Sequence, residues 1–394
     1  MDQMNVEFNV TYLTFSGHVE LHRFRYLYFL VMFIVYVLIL CSNSIILCII
    51  WVHKSLHEPM YIFIAALLLN SILFSTNIYP KLLIDFLSDE QVITHSHCVF
   101  QFFAYYSLGG SEFLLLSAMA YDRYVSICKP LQYPNIMRKT TVSVLLLLAW
   151  LLPALQVMPT VAMSNDLQIC RFNLTGIFCN NAIYKLYCVT PRTLSIYGVF
   201  NLLNIALLPM LFILFTYTRI LIISYRSGRD VRKKAAQTCF PHLLALISTS
   251  SLCSYDVIIA RLQVYFPSTA RLIMTLQLII YHPLFNPLIY GVKMKEISKH
   301  LKKLLCEGKL KEYAKTEVNE CVSDGWTCPS KKLVPRFIGP FEIEVVINPC
   351  ITEPRLSCSL PAHPTFKVSQ VKLVQESSST KTFFTASCAT SDPG

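Results

Sequence analysis

The chain has 394 residues, enough by length for two or three soluble domains, yet 54% of them are hydrophobic, only 14% are charged and the mean hydropathy is +0.50. The apolar residues fall in long blocks, which excludes an ordinary soluble protein and implies helices that cross a bilayer. A net charge of +11 would suit nucleic acid, but the basic residues gather in short connections between apolar blocks, where they set orientation. Fifteen cysteines occur without metal-ligand spacing, so neither a metal nor a cofactor is expected.

Residues 1–25 are polar and contain the sequon Asn9-Val10-Thr11, a glycosylation acceptor if this segment lies outside. No cleavable signal peptide is evident, and the first span acts as its own targeting signal. That span is predicted from about Tyr26 to Trp51, with Asn43 in its middle. A polar amide in lipid needs a partner, so Asn43 is expected to face the bundle in an interhelical hydrogen bond. The second span runs from about Tyr61 to Leu87 and carries Asn70-Ser71; the third runs from about Cys98 to Tyr124.

The third span holds Gly109-Gly110, where a neighbouring helix or a ligand can approach the backbone closely, and a lone carboxylate at Glu112. It ends in Met119-Ala-Tyr-Asp-Arg-Tyr-Val-Ser-Ile-Cys-Lys-Pro-Leu-Gln-Tyr133. An Asp-Arg pair at the edge of the hydrocarbon is costly unless its members neutralise each other or face protein and water, which makes such a pair a functional candidate. An arginine that merely snorkels to the headgroups is the plainer alternative.

The fourth span covers about Thr140 to Val161. It leads into a loop, Met163 to Thr193, with Cys170, Cys179, Cys188 and the sequon Asn173-Leu174-Thr175. With Cys98 these cysteines make a set of four, which permits three pairings. The fifth span runs from about Leu194 to Ile223. Arg226, Arg229, Arg232, Lys233 and Lys234 follow it, and with Lys129, Arg138 and Lys139 they outweigh Arg171, Lys185 and Arg192 of the cysteine loop. The bias places the basic connections in the cytoplasm and the N-terminus outside.

The sixth span opens with Lys234-Ala-Ala-Gln-Thr-Cys-Phe-Pro-His-Leu243. The seventh, about Ala270 to Tyr290, closes with Pro283-Leu-Phe-Asn-Pro-Leu-Ile-Tyr290. Pro287 removes a helix hydrogen bond, and Asn286 is expected to satisfy the freed carbonyls at a deformable point. Residues 291–306 follow as an amphipathic helix. Met294, Ile297, Leu301 and Leu304 lie on one face and Lys293, Lys295, Lys299, Lys302 and Lys303 on the other, as for an anionic leaflet. Cys306 is a candidate for palmitoylation.

The third-span string, Leu56-His-Glu-Pro-Met-Tyr61, the opening of the sixth span and Asn286-Pro-Leu-Ile-Tyr290 together resemble odorant receptors of the rhodopsin-like G-protein-coupled superfamily, of the fish type. The resemblance implies an all-α membrane fold, a seven-helix bundle over residues 26–290 in the plasma membrane. It implies G-protein coupling through Asp122, Arg123 and Tyr124, switching at Asn286, Pro287 and Tyr290, and disulfides Cys98–Cys179 and Cys170–Cys188. The lysines at the sixth span replace an acid found in many relatives, which leaves Asp122 as the resting partner of Arg123. Asn70-Ser71 stands where the superfamily usually has a sodium-binding carboxylate, so no sodium is expected.

Counting along the helices puts a ligand pocket among Tyr105, Tyr106, Gly109, Cys253, Ser254 and Val257, suited to a small, neutral, mostly apolar odorant. The implied partners are that odorant, a heterotrimeric G protein, stimulatory and raising cyclic AMP, and membrane lipid. A transporter or channel is the competing class. Against it stand the lack of an inverted repeat and the scarcity of span charges beyond Glu112, Asp256 and Arg261. No Gly-x-Ser-x-Gly, His-Glu-x-x-His or phosphate loop points to an enzyme.

Beyond a linker at 307–324 the composition changes. Lys331-Lys-Leu-Val-Pro-Arg-Phe-Ile-Gly-Pro-Phe341, Ile347-Asn-Pro349, Leu360-Pro361 and His363-Pro-Thr-Phe-Lys-Val-Ser-Gln370 resemble the end of a gypsy-type retrotransposon integrase. Alternation in Phe341-Glu-Ile-Glu-Val-Val-Ile347 reads as a strand. Residues 325–375 are therefore expected to be a small SH3-like β segment or disorder, without catalytic acids and without a nucleic-acid partner, and residues 376–394 to be a disordered tail.

Overall fold

The computed structural model describes residues 11–165, 167–226, 243, 245–246, 250, 267–294 and 296–304, and the strands within 336–386. The chain divides into two units, Met1–Ser298 and Lys299–Gly394.

In the first unit the long helices are α1 (Leu21–Val52), α2 (Pro59–Leu87) and α3 (His95–Cys128). A one-turn α4 (Tyr133–Ile136) leads to α5 (Lys139–Asn165), α6 (Arg192–Leu202), α7 (Leu208–Arg226) and α8 (Ser268–Lys293). Helix α1 starts five residues before the boundary expected at residue 26, because Leu21 already packs into the core. Pro59 opens α2 at its first turn, where no helical N–H is needed.

Among the described residues, α1, α2, α5 and the run from α6 through α7 are each long and apolar enough to cross a membrane. Helix α8, bent by 40° between Ser268–Tyr281 and Pro283–Gly291, makes a fifth. Helix α3 is as long but carries Glu112, Asp122 and Arg123. It packs against α2, α5 and α7, while α1 packs on α2 and α8. The expected sixth span, with Cys253, Ser254 and Val257, lies outside the described residues, as do Asn9, most of the basic cluster after Arg226, and Cys306.

Leucine, isoleucine and phenylalanine side chains point outward all along these helices: Leu27, Leu30 and Ile34 on α1, Leu147, Leu151 and Leu155 on α5, Leu208, Leu211 and Phe215 on α7. In water such a surface would drive aggregation; against acyl chains it is the solvated face. The polar side chains Asn43, Asn70, Ser71, Glu112, Asp122 and Asn286 are buried instead. After Gly291, Met294 and Ile297 are buried and Lys299, Lys302, Lys303 and Leu304 are exposed.

Prolines shape the helices in ways the hydropathy pattern does not show. Between α6 and α7, residues Leu203–Leu207 form a π turn just before Pro209, whose missing N–H breaks the regular ladder. In α8, Pro287 leaves the carbonyl of Pro283 without its helical donor, and Pro283 does the same to Ile279. Neither is satisfied by Asn286, as the sequence suggested. Asn43 Nδ2 of α1 donates to the Pro283 carbonyl at 3.0 Å, and Tyr79 Oη of α2 donates to the Ile279 carbonyl at 3.4 Å. Asn286 points instead into the bundle, where Ser71 and Glu112 accept from it.

The two adjacent glycines of α3 differ. A Cβ on Gly110 would come within 2.5 Å of Ile205 Cγ2 and 2.8 Å of Pro153 Cβ, so this glycine lets α5 and the π turn close on α3. A Cβ on Gly109 would meet nothing within 4 Å. Gly110 is the packing position and Gly109 faces open space.

At one end of the bundle, residues 11–20 do more than lead into a span. Strand β1 (Tyr12–Phe15) lies between β2 (Val92–Thr94), antiparallel, and β3 (Asn173–Leu174), parallel. Leu13 and Phe15 are buried against Cys98, Phe102, Cys179 and Ile183. His18 follows, packed edge-on to Phe86 with ring centroids 5.8 Å apart. Among the described residues neither of its ring nitrogens has a hydrogen-bond partner.

In the second unit, β4 (Arg336–Ile338), β5 (Phe341–Asn348), β6 (Ile351–Arg355) and β7 (Phe366–Lys367) form an antiparallel sheet in sequence order. Strands β8 (Val371–Gln375) and β9 (Thr382–Ala386) form a separate hairpin. Strand β9 falls in the stretch expected to be disordered. Its Thr-Phe-Phe-Thr run is β-branched and aromatic, which favours a strand over the disorder that the surrounding serines suggested.

Two tests follow from the packing. Burial first, and Lys81 second, hold the His18 ring down to about 4 from its ordinary 6.5. The released segment binds a proton that the packed one refuses. The strand's attachment is therefore at full strength above pH 6.5 and weakens as pH falls towards 4. Hydrogen exchange at Leu13–Phe15, corrected for intrinsic rates, is expected to report more opening at about pH 5 than at about pH 7, and His18→Leu to flatten that difference. An unchanged difference in the variant would remove His18 from the account. For the glycines, Gly110→Ala forces α3 and α5 apart at a cost of about 1–3 kcal/mol and lowers the amount of folded receptor, whereas Gly109→Ala leaves it near wild type. Equal yields of the two on size-exclusion chromatography would contradict the packing assignment.

Candidate functional site

Three groups of sequence-predicted residues are brought together along α3. The first is at its C-terminal end. Asp122 is fully buried, and an unpaired carboxylate there would be costly. Arg123 closes on it, with Nη2 2.6 Å and Nε 3.1 Å from Oδ2. The other carboxylate oxygen accepts from Tyr133 Oη of α4 at 2.9 Å. Tyr124 is half-buried beside them.

Tyr133 was the last residue of the quoted string and received no role from the sequence. The signal that could have found it is its place after Lys129-Pro130, where the chain turns back under α3. Burial first, and then the Asp122 charge, push its phenol well above the ordinary range, so it stays a hydrogen-bond donor.

The second group sits mid-bundle. Asn286 Nδ2 donates to Ser71 Oγ at 3.0 Å and lies 3.3 Å from Glu112 Oε1. Asn70 Nδ2 donates to the Leu108 carbonyl at 3.0 Å. One amide of α8 thus reaches both α2 and α3, one residue before Pro287, at the place where α8 lacks regular hydrogen bonding. Tyr290 is fully buried one turn further on. No group of three or more metal-ligating side chains occurs among the described residues.

The third group is at the strand-bearing end. The structure joins Cys98 to Cys179 with Cα atoms 5.4 Å apart, and Cys170 to Cys188 at 4.9 Å. Gln101 repeats the first tie without covalent chemistry: its Oε1 accepts from the Cys179 amide at 2.8 Å. Its Nε2 donates to the Asn77 carbonyl at 3.0 Å, and Asn77 Nδ2 returns a bond to the Gln101 carbonyl at 3.1 Å.

These ties push Ile177 and Phe178 into the bundle. Tyr105 then packs among Phe178, Phe74 and Tyr106, with ring centroids 5.1, 5.3 and 4.9 Å away. Tyr106 Oη accepts from the Asn181 amide at 3.1 Å. Tyr105, Tyr106 and Gly109 lie on successive turns of α3, below a loop that is fixed in place. Asn173 is exposed in β3.

Comparison with known proteins agrees with this arrangement. Residues 32–308 match the sequence model of the family described as Olfactory receptor. Human olfactory receptor 11A1 is 32% identical over 300 residues, 75% of this chain and 94% of that protein. Human olfactory receptors 2T27 and 6K3 are each 30% identical, over 306 and 300 residues, covering 77% and 75% of this chain and 92% and 90% of theirs. The match takes in the long helices, the loop with its disulfides and the Asp122–Arg123 pair, and the chain belongs to the olfactory receptor family of multi-pass membrane proteins.

Proposed function

We propose that this protein is a plasma-membrane receptor that binds a small, mostly apolar odorant within a seven-helix bundle and activates a heterotrimeric G protein, stimulatory and raising cyclic AMP. The observation that carries the reading is the fully buried Asp122, neutralised by Arg123 and hydrogen-bonded by Tyr133 at the end of α3. A closed ion pair of this kind holds the guanidinium on Asp122 in the resting state. A ligand that prefers the active bundle opens it, and can do so only by its difference in affinity for the two states.

The N-terminus and the disulfide-bearing loop lie outside in this reading, with Asn9 and Asn173 glycosylated; the basic connections and the helix after Gly291 face the cytoplasm. Ligand contacts come from Tyr105, Tyr106 and Gly109 with Cys253, Ser254 and Val257. Asn286, Pro287 and Tyr290 form the switch. The lysine-rich face after Gly291 meets anionic lipid. The chain is a fish-type member whose integrase-like tail binds no nucleic acid and is dispensable.

The test is made on the full chain with an N-terminal epitope, detected on unpermeabilised cells so that orientation and surface level are read together. Arg123→Ala is expected to abolish ligand-stimulated cyclic AMP at a normal surface level. A hydrogen bond to a charged group contributes about 1.5–3 kcal/mol, so Tyr133→Phe is expected to raise basal cyclic AMP by loosening the resting pair. Wild-type signalling by the first variant, or unchanged basal signalling by the second, would end this reading of the site. Separately, a stop codon after Lys315 is expected to leave both surface level and dose response intact. A truncated receptor that reaches the surface but no longer signals would make the tail a working part.

A further inference from the structure

Ser16 and Gly17 leave β1 and run on along the loop after α5. Three carbonyls of that loop accept from this short strap: Phe172 from the Thr14 amide at 2.8 Å, Leu174 from the Ser16 amide at 2.8 Å and its hydroxyl at 3.0 Å, and Gly176 from the Gly17 amide at 3.2 Å. On its other side the strap is held to the connection between α2 and α3. There the Phe15 amide donates to the Gln91 carbonyl at 2.8 Å, and the His95 amide donates to the Thr11 carbonyl at 2.9 Å.

The contact at the end of the strap is backbone on backbone. A Cβ on Gly17 would stand 2.5 Å from the Gly176 carbonyl carbon and 2.6 Å from its oxygen. Carbon atoms in ordinary contact are about 3.5–4.0 Å apart, so a methyl group there would part the two chains by roughly 1 Å. A main chain has no alternative rotamer by which to step aside. The next two residues of the loop, Ile177 and Phe178, are buried in the cluster that contains Tyr105, with the Phe178 ring 5.1 Å from that of Tyr105. Beyond them the Cys179 amide donates to Gln101 Oε1 and the Asn181 amide to Tyr106 Oη. The strap therefore grips the loop one residue before it enters the bundle.

We propose that Ser16 and Gly17 are positioning residues for the odorant pocket. They fix the height of Gly176, and through it how far Ile177 and Phe178 reach down onto Tyr105, which makes the strap a determinant of the size of ligand accepted. They act through Ile177 and Phe178 and not by touching the ligand. The proposal rests on the receptor reading and deepens it by assigning part of the pocket's specificity to a segment that precedes the first span.

The experiment uses the full chain in lipid nanodiscs and reads hydrogen exchange at single amides. Gly17→Ala is expected to speed exchange of the Cys179 and Asn181 amides by about tenfold, the scale on which one lost contact shifts a local opening. Ser16→Ala is expected to speed it by a smaller factor, and the mid-helix amide of Phe74 to stay unchanged in both. A strap that only steadied the edge of the loop would speed Leu174 and Gly176 and leave Cys179 and Asn181 alone. That result, or no change anywhere, would overturn the proposal, and Ser16→Ala decides it by the same two amides if Gly17→Ala does not fold. Size selection is read by saturation-transfer NMR with 1-hexanol and 1-decanol, corrected with empty discs. A lifted roof is expected to move the preference of Gly17→Ala towards decanol, and an unshifted preference would remove the role in specificity. If wild type binds neither alcohol while the exchange pattern holds, the grip of the strap stands and the pocket reading beneath it fails.

Discussion

The constraint behind this architecture is that no polar group inside an apolar slab can be left to water. The carbonyls of Ile279 and Pro283 lose their helical donors to Pro283 and Pro287, and side chains of two other helices replace them. That exchange turns a defect in α8 into contacts with α1 and α2. It also fixes the rotation of α8, because Asn43 and Tyr79 can reach those oxygens from one side only. Asn286 is then aimed at Ser71 and Glu112.

At the far end of α3 the same rule acts on a charge. Asp122 has two oxygens in a dry position, and Arg123 and Tyr133 take one each. The two arrangements differ in how easily they can be undone. Asn43, which caps the Pro283 carbonyl, is fully buried. Arg123, with its side chain 15% exposed, already touches the surface. Helix α8 is pinned in its interior, whereas the ion pair of α3 lies at the edge of the bundle.

Much of this was legible in the sequence because hydropathy blocks and charged connections are long signals. Helices α1, α2, α3, α5 and α8 start and stop within about five residues of where the apolar runs place them. The Asp122–Arg123 pair was readable because charge at a span end is rare. What the sequence hid was cross-helix pairing. Nothing near Asn43 names the Pro283 carbonyl as its acceptor, and Tyr133 looks like any loop tyrosine until α4 folds under α3. The strands β1, β2 and β3 were also invisible, since two to four residues carry no periodicity. Gly109 and Gly110 are identical as letters and separate only when their neighbours are known.

The position of β1 at the centre of its small sheet has a consequence for biosynthesis. Thr14 bonds to the Phe172 carbonyl across 158 residues of chain. As the chain emerges N-terminus first, Tyr12–Phe15 has no complete sheet to join until α1, α2, α3 and α5 have all been made. The first of the three strands to be made is therefore fixed only when the last arrives. During that interval it stays open to enzymes and chaperones in whichever compartment receives it, and closure of the sheet marks the time at which the loop after α5 has arrived.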